Sequence, residues 1–132
     1  MVVKFDLPYY KAKSKALYTL NVHRNIHFRS ANSFKKKYSK IIAEELSQYD
    51  KVDLKLISLE YIIHFRPTAA GKPKKVDLSN VASMVDKVFC DVLQEEEWIA
   101  DDDINCLRKV TYKANPFSDT EYVEVRIKKE IR

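Results

Sequence analysis

The sequence predicts a small α+β domain of mixed α/β character with the element order β-α-β-α-β-β. Its 132 residues are 45% apolar, which is enough for one core, so we take residues 1–132 as a single domain. Two segments repeat apolar residues with the period of a helix, and four alternate them as strands do. We expect a small mixed sheet with the helices packed on it. Such a sheet has open edges, so we also expect a dimer that covers one.

The first third of the chain predicts one strand and one helix. Residues 2–7 alternate as a short strand, and residues 8–29 lack a clear period and are predicted to be mostly loop. A loop of this length in a compact domain is often functional. A helix then begins with Ser33 as its N-cap. Its apolar residues follow the 3.6-residue period: Phe34, Tyr38, Ile41, Ile42 and Leu46.

The middle of the chain predicts a long strand followed by a second helix. The strand runs from Val52 to Arg66, with one apolar face, and Pro67 ends it. The helix is capped by Asp77 and ends near Glu95. Its apolar stripe consists of Val81, Met84, Val85, Val88, Phe89, Val92 and Leu93.

The last third of the chain predicts two further strands. Residues 104–113 and 121–131 both alternate, and residues 115–118 between them have the composition of a turn. We therefore expect the two strands to form a β-hairpin.

The composition favours a polyanionic partner and excludes several classes of protein. The net charge is +5 and the pI is about 9.1. No run of about 18 apolar residues is present, so no membrane span is expected. The two cysteines lack a metal-binding spacing, and the N-terminus lacks a signal-peptide pattern, so we expect a cytoplasmic protein. The basic residues cluster at Lys11–Lys15, Arg24–Arg29, Lys35–Lys37 and Lys72–Lys75.

Two acidic features stand out in this basic chain. Asp77 lies where a basic loop meets a helix N-terminus, and the run at 101–103 lies between that helix and the next strand. Taken singly, Asp77 is explained as a helix cap and the run as a solvated turn. Together they could hold Mg²⁺, since two or three carboxylates suffice for that ion. We expect them to converge, which requires the strand after the helix to lie beside the helix N-terminus.

One face of the second helix carries four polar residues within a sector of roughly 80°: Asp77, Asn80, Lys87 and Asp91. Asp91 follows Asp77 by 14 residues, which is about 21 Å along a straight helix. The two cannot share one metal ion, so we expect Asp91 to pair with Lys87 or to bond a neighbouring loop. Asp86 points to the opposite side and is expected to be solvated.

The order of these motifs resembles a known family. A basic loop, Lys72–Lys75, precedes a helix that opens with Asp-Leu-Ser-Asn at Asp77–Asn80. A Lys and an Asp one turn apart follow at Lys87 and Asp91, and a later Asp pair lies within Asp101–Asp103. These motifs are similar to those of RusA-type Holliday junction resolvases, small dimeric endonucleases common in phages. Asn21 and the segment Arg24–Arg29 resemble the family's N-terminal Asn and basic-aromatic loop. Ser79 replaces the family's second Asp, and Lys87 lies about four residues later than usual, roughly 6 Å along the helix.

The resemblance implies a hydrolase that nicks four-way DNA junctions as a homodimer, in recombination, repair or phage DNA processing. It also implies that the protein acts in the cytoplasm of a bacterial or phage-infected cell. It implies Mg²⁺ as cofactor, with Mn²⁺ able to substitute, and no small-molecule organic cofactor. By motif, the implied catalytic residues are Asp77, Lys87 and Asp102. The implied metal ligands are Asp77, Asp101, Asp102 and Asp103, with Asp101 or Asp103 compensating for Ser79. The implied supporting residues are Asn80 and Asp91, and the implied DNA contacts are Asn21, Arg24, Arg29, Lys72, Lys74 and Lys75.

Two alternatives share these residues. One is a branched-DNA-binding protein that is catalytically weak or inactive because Ser79 removes a carboxylate. The other is a nuclease for another branched or RNA substrate. Either Lys87 or a lysine of the 72–75 loop is expected to stabilise the phosphate.

Overall fold

A computed structural model describes residues 1–11 and 16–130 of the chain. Most of the predicted basic cluster at 11–15 and the last residue of the predicted final strand, Ile131, lie outside the described residues. In chain order the elements are β1 (Val2–Phe5), β2 (Tyr9–Lys11), β3 (Ala16–Leu17), α1 (Leu20–Asn25), α2 (Phe28–Leu46), β4 (Ile57–His64), α3 (Leu78–Glu95), β5 (Leu107–Asn115) and β6 (Tyr122–Lys129).

The predicted α+β class is confirmed. One mixed sheet has the strand order β1-β6-β4-β5, with β4 parallel to β5 and antiparallel to β6, and β1 antiparallel to β6. The strands β2 and β3 form a separate small antiparallel pair. Both α2 and α3 pack on one side of the main sheet and contact each other.

The segment predicted to be loop contains regular structure. It holds β2, β3, α1 and the first residues of α2, so the predicted N-cap at Ser33 is wrong. His27 caps α2 instead, its Nδ1 accepting from the backbone N–H of Arg29 at 3.2 Å. The added first turn carries Phe28 and Arg29 exposed to solvent, so it shows no apolar period that could reveal it.

The predicted β5–β6 hairpin is also wrong, because β4 lies between the two strands. Their connection, residues 116–121, is long enough to step over one strand, since neighbouring strands lie about 4.8 Å apart. It is held over the end of β4 by backbone bonds: Phe65 donates to Asn115 and Ser118 donates to Phe65, each at 2.9 Å. Alternation shows that a segment is a strand but not which strand it pairs with.

The core lies between the sheet and the two long helices. The predicted inward face of β4 is buried, as is the whole predicted stripe of α3. Aromatic rings link the layers: Phe89 of α3 stacks on Phe5 at 5.8 Å between centroids and meets Tyr61 edge-on at 6.0 Å. In α2, Ile41 remains 36% exposed although it follows the apolar period.

The opposite face of the sheet is polar and ordered by ion pairs. Arg126 Nε donates to Glu124 at 2.7 Å, and His64 Nε2 lies 3.2 Å from the same carboxylate. Burial opposes ionisation of Glu124, but the hydrogen bonds from Arg126 and His64 outweigh it and hold its pKa below the ordinary value. Glu60 joins the network through Arg126 and Lys113.

The C-terminus of α3 ends in a Schellman motif that redirects the chain. The backbone N–H of Trp98 donates to Leu93 at 2.8 Å and that of Glu97 to Gln94 at 3.0 Å. Glu97 has φ +61, a left-handed conformation in which glycine is usual. The turn buries Trp98 and Ile99 and thereby fixes the start of the loop that carries residues 101–103.

Replacing Glu97 with glycine should raise the free energy of unfolding by about 1 kcal/mol, because glycine lacks the Cβ that is crowded in this conformation. Urea denaturation measures the change. Glu96→Gly is the matched control: Glu96 has φ −88, so glycine there should leave stability equal or lower. Stabilisation by both substitutions, or by neither, would contradict the proposed strain at Glu97.

Candidate functional site

The predicted site residues Asp77 and Asn80 build the N-terminal end of α3. Asp77 is the N-cap, as predicted: its Oδ1 accepts from the backbone N–H of Asn80 at 3.3 Å and from the hydroxyl of Ser79 at 3.1 Å. The Oδ1 of Asn80 accepts from the backbone N–H of Asn21 at 3.0 Å. Asn80 therefore ties the start of α1 to the start of α3, which suits its predicted supporting role.

The basic loop before α3 is anchored at one of its lysines. Lys74 Nζ lies 2.6 Å from Glu121 Oε2, which connects the loop to the start of β6. Gly71, at φ +75, allows a turn in which Thr68 donates to Lys72 at 2.8 Å. The side chains of Lys72 and Lys75 are exposed beside this anchored position.

The acidic run lies against the last turn of α3. Gln94 Nε2 donates to Asp101 Oδ1 at 3.1 Å, and the same oxygen accepts from the backbone N–H of Asp102 at 2.7 Å. Asp103 Oδ1 accepts from the backbone N–H of Asn105 at 2.9 Å, which stabilises the turn before β5. Asp91 precedes Gln94 by three residues and shares its helix face, so the run lies beside Asp91.

The carboxylate of Asp102 is electrostatically unfavourable in this position. Although this side chain is exposed, its pKa is raised by partial desolvation, then by the hydrogen bond to Asp101 and the charge of Asp101, and also by the charge of Asp91, against the lowering effect of a backbone hydrogen bond. Asp91, Asp101 and Asp102 therefore form one acidic cluster, which we call the lower acidic cluster.

The predicted convergence of Asp77 with residues 101–103 is wrong. Helix α3 is unbroken from Leu78 to Glu95. Gln94, which binds Asp101, follows Asp77 by 17 residues, or about 25 Å along the helix axis. Among residues 1–11 and 16–130, no three or more His, Cys, Asp or Glu side chains are arranged to hold a metal ion. The predicted four-ligand set of Asp77, Asp101, Asp102 and Asp103 is therefore not assembled.

The topology explains this separation. Strands β4 and β5 are parallel, so α3 must return the chain from the end of β4 to its beginning. Asp77 follows the end of β4. The loop after α3 instead bonds the beginning of β4: Leu54 N–H donates to Trp98 at 3.0 Å and Ile57 N–H to Cys106 at 2.8 Å. The two acidic segments lie at opposite ends of the helix.

Helix α2 supplies the partner of Asp91. Lys35 Nζ lies 2.7 Å from Asp91 Oδ2, so the predicted pairing of Asp91 with Lys87 or a loop is wrong. The Asp91 side chain keeps 29% of its surface exposed. The pair links α2 to α3, and Asp91 is therefore both a structural contact and a member of the lower acidic cluster.

His23 of α1 completes the polar face of α3, and sequence reasoning missed it. Burial lowers its pKa, and the charges of Lys87 and then Lys35 lower it further. Its Nδ1 lies 2.8 Å from the hydroxyl of Tyr18. His23 is thus a neutral imidazole near neutral pH, and the charges of two lysines disfavour its protonation. The sequence carried no signal for the position of His23, because it is a single histidine in a segment whose apolar residues show no helical or strand period.

Asp86 is the other surprise, since it is not solvated as predicted. Its Oδ1 accepts from the Tyr61 hydroxyl at 2.7 Å and from the Cys90 thiol at 3.3 Å, and its Oδ2 accepts from Tyr112 at 3.4 Å. Burial, followed by the Asp86 charge, raises the pKa of Tyr112 to about 12. Asp86 therefore satisfies polar groups between α3 and the sheet and belongs to the fold.

The remaining predicted DNA contacts, Arg24 and Arg29, lie in α1 and α2. Arg24 is exposed in the last turn of α1. Arg29 is exposed in the first turn of α2, with its guanidinium 6.0 Å from the ring of Phe28. The predicted site residues are thus spread over both ends of α3 and over α1 and α2 rather than gathered in a single centre, with the lower acidic cluster at the C-terminal end of α3.

Comparison of the chain with protein-family models and with curated proteins gives no match. Within the described ranges, no helix combines the length and apolar character needed to cross a membrane.

Asp102→Asn should raise the free energy of unfolding at pH 7 without divalent cations, because it removes a carboxylate whose charged form is disfavoured in the fold. As the pH falls through the raised pKa, folded wild-type protein takes up the proton and the difference shrinks. It should vanish below the ordinary pKa of 3.8.

Urea denaturation across this pH range, with chelator present, measures the effect. Asp50→Asn, at an exposed position after α2, is the control and should change little. Destabilisation of Asp102→Asn at pH 7 would show that the neighbouring carboxylates do not repel this one.

Proposed function

We propose that this protein is a Mg²⁺-dependent, structure-selective endodeoxyribonuclease that nicks branched DNA, with four-way junctions as its substrate. The observation that carries the proposal is the lower acidic cluster, in which the bond from Gln94 to Asp101 holds the acidic run at the last turn of α3, one turn from Asp91 and its partner Lys35. Repulsion among neighbouring carboxylates is relieved by a divalent cation, and perturbed carboxyl groups are typical of functional sites.

In this proposal, two carboxylates of the cluster would hold Mg²⁺. Asp91 and Asp102 offer oxygen ligands, and Asp101 orients the loop through Gln94. Mg²⁺ is commonly held by one or two carboxylates, with waters and substrate phosphates completing its shell, so a third protein ligand is not required. When bound, the ion supplies an activated water and neutralises charge on the phosphate. Mn²⁺ has the same oxygen preference and should substitute.

The basic residues beside the cluster suit a phosphodiester. Lys35, which pairs with Asp91, and Lys87 would bind the scissile phosphate. His23, whose pKa is lowered, can accept a proton near neutral pH. In this arrangement Asp77 and Asn80 support the helix and its contact with α1.

The wider surface suits a DNA backbone. Arg24, Arg29, Lys72 and Lys75 are exposed, and their phosphate contacts would make binding strongly dependent on salt. We also propose a homodimer, since two symmetric cuts need two sites. In the described sheet, β1 and β5 are the outer strands, and each pairs with a neighbouring strand on one side only. A second copy of the chain can cover one of these two open edges.

The second candidate is a branched-DNA-binding protein without catalysis. The separation of Asp77 from residues 101–103 favours it, because the implied ligand set is split between the two ends of α3. The basic surface serves binding equally well in either case.

Cleavage of a synthetic four-way junction, with Mg²⁺, Mn²⁺ or chelator, separates the two candidates. We expect metal-dependent cutting, abolished by Asp102→Asn with junction binding largely retained, while Asp50→Asn cuts normally. Flap, duplex and RNA substrates test selectivity for junctions. Binding with no cut under either metal would refute the enzyme and leave the binding protein.

Asp77→Asn in the same assay tests where the chemistry lies. Asparagine caps helices as well as aspartate does, so this variant should fold and cut nearly as well as wild type. A loss as deep as that of Asp102→Asn would return Asp77 to the metal site.

A further inference from the structure

A cavity of about 590 Å³ lies between the β1–β2 segment and α2. This volume is within the range of about 300–1,000 Å³ typical of small-molecule sites. The lining includes aromatic, aliphatic, basic and acidic side chains: Asp6, Tyr9, Tyr10, Arg29, Lys37 and Ile41. Asp91 and residues 101–103 are not among its lining residues.

The floor of the cavity is preformed. Phe34 and Tyr38 are buried beneath it, with their ring centroids 5.4 Å apart. The Tyr38 hydroxyl donates to the backbone carbonyl of Asp6 at 2.8 Å, which ties α2 to the chain after β1. Core packing therefore fixes the shape of the floor.

The rim has the charge pattern of a site for a ligand that carries both an aromatic ring and a phosphate group. Arg29 and Lys37 are exposed cations, and Arg29 lies in the first turn of α2, where the helix dipole also favours an anion. Asp6 places a carboxylate in the same wall, able to accept from the N–H groups that every nucleobase carries. Tyr10 and Ile41 each leave 36% of their surface exposed, so apolar area is open to a ligand.

We propose that this cavity takes one unpaired deoxynucleotide of the DNA substrate. The base lies against the exposed surfaces of Tyr10 and Ile41, and its phosphate lies at Arg29 and Lys37. Stacking on aromatic rings tolerates any base, so the site reads the lack of pairing and not the sequence. The inference rests on the proposed function in that DNA is the ligand, but it requires no catalysis.

The consequence is a preference among junctions. A four-way junction with one unpaired thymidine at the branch point should bind more tightly than the fully paired junction. The advantage should be roughly tenfold, the effect expected of one stacked base.

Fluorescence anisotropy with the two labelled junctions, in chelator so that no cutting occurs, measures this preference. Lys37→Glu should abolish it. Lys36→Glu, the same charge change at a neighbouring exposed residue that does not line the cavity, should weaken both junctions and keep the ratio. Ser33→Phe, which fills the cavity, should also abolish the preference, and Asn32→Phe, outside the lining, should not.

Equal affinity of the wild type for the two junctions would overturn the inference, as would equal loss of the ratio in both lysine variants. The outcomes also separate this inference from the proposed function. A preference without any metal-dependent cutting would leave the cavity assigned and the nuclease refuted. Metal-dependent cutting of the paired junction, without a preference for the junction that carries the unpaired thymidine, would support the nuclease and refute the assignment of the cavity.

Discussion

The unbroken length of α3 is the constraint on which the functional geometry depends. The parallel pairing of β4 with β5 requires a crossover, and α3 provides it as one helix from Leu78 to Glu95. Every polar residue on its outer face is therefore held at a fixed axial position. Asp77 lies at one end and Asp91 with Asp102 near the other, so chemistry at the two ends cannot share one cation.

The end of the helix is as important as its length. The left-handed Glu97 turns the chain, Trp98 and Ile99 bury it against the core, and Gln94 then holds Asp101. These contacts place Asp102 close enough to Asp91 for their charges to interact. Strained or repulsive arrangements that the fold maintains are expected where function demands them.

Residue periodicity was sufficient for the fold class, the buried faces of β4 and α3, and the cap at Asp77. It failed where the outcome depends on contacts between distant segments. The short capped helix at Leu20–Asn25 has no buried residue, so no period revealed it. The strand between β5 and β6, the Lys35–Asp91 pair and the placement of His23 follow from packing that no local pattern encodes. The order of the motifs suggested one metal site, because the spacing of residues along the chain does not show at which end of α3 the acidic run will lie.

The location of the metal is tested most directly by adding Mn²⁺ to the ¹⁵N-labelled protein and following paramagnetic broadening of its amide signals. Broadening centred on Asp91, Gln94, Asp101 and Asp102 is the predicted result, with Asn80 and Asp77 less affected, since they precede Asp91 by 11 and 14 residues, or about 16 Å and 21 Å along α3. Broadening centred on Asp77 and Asn80, or spread evenly over the acidic surface, would contradict a metal site in the lower acidic cluster.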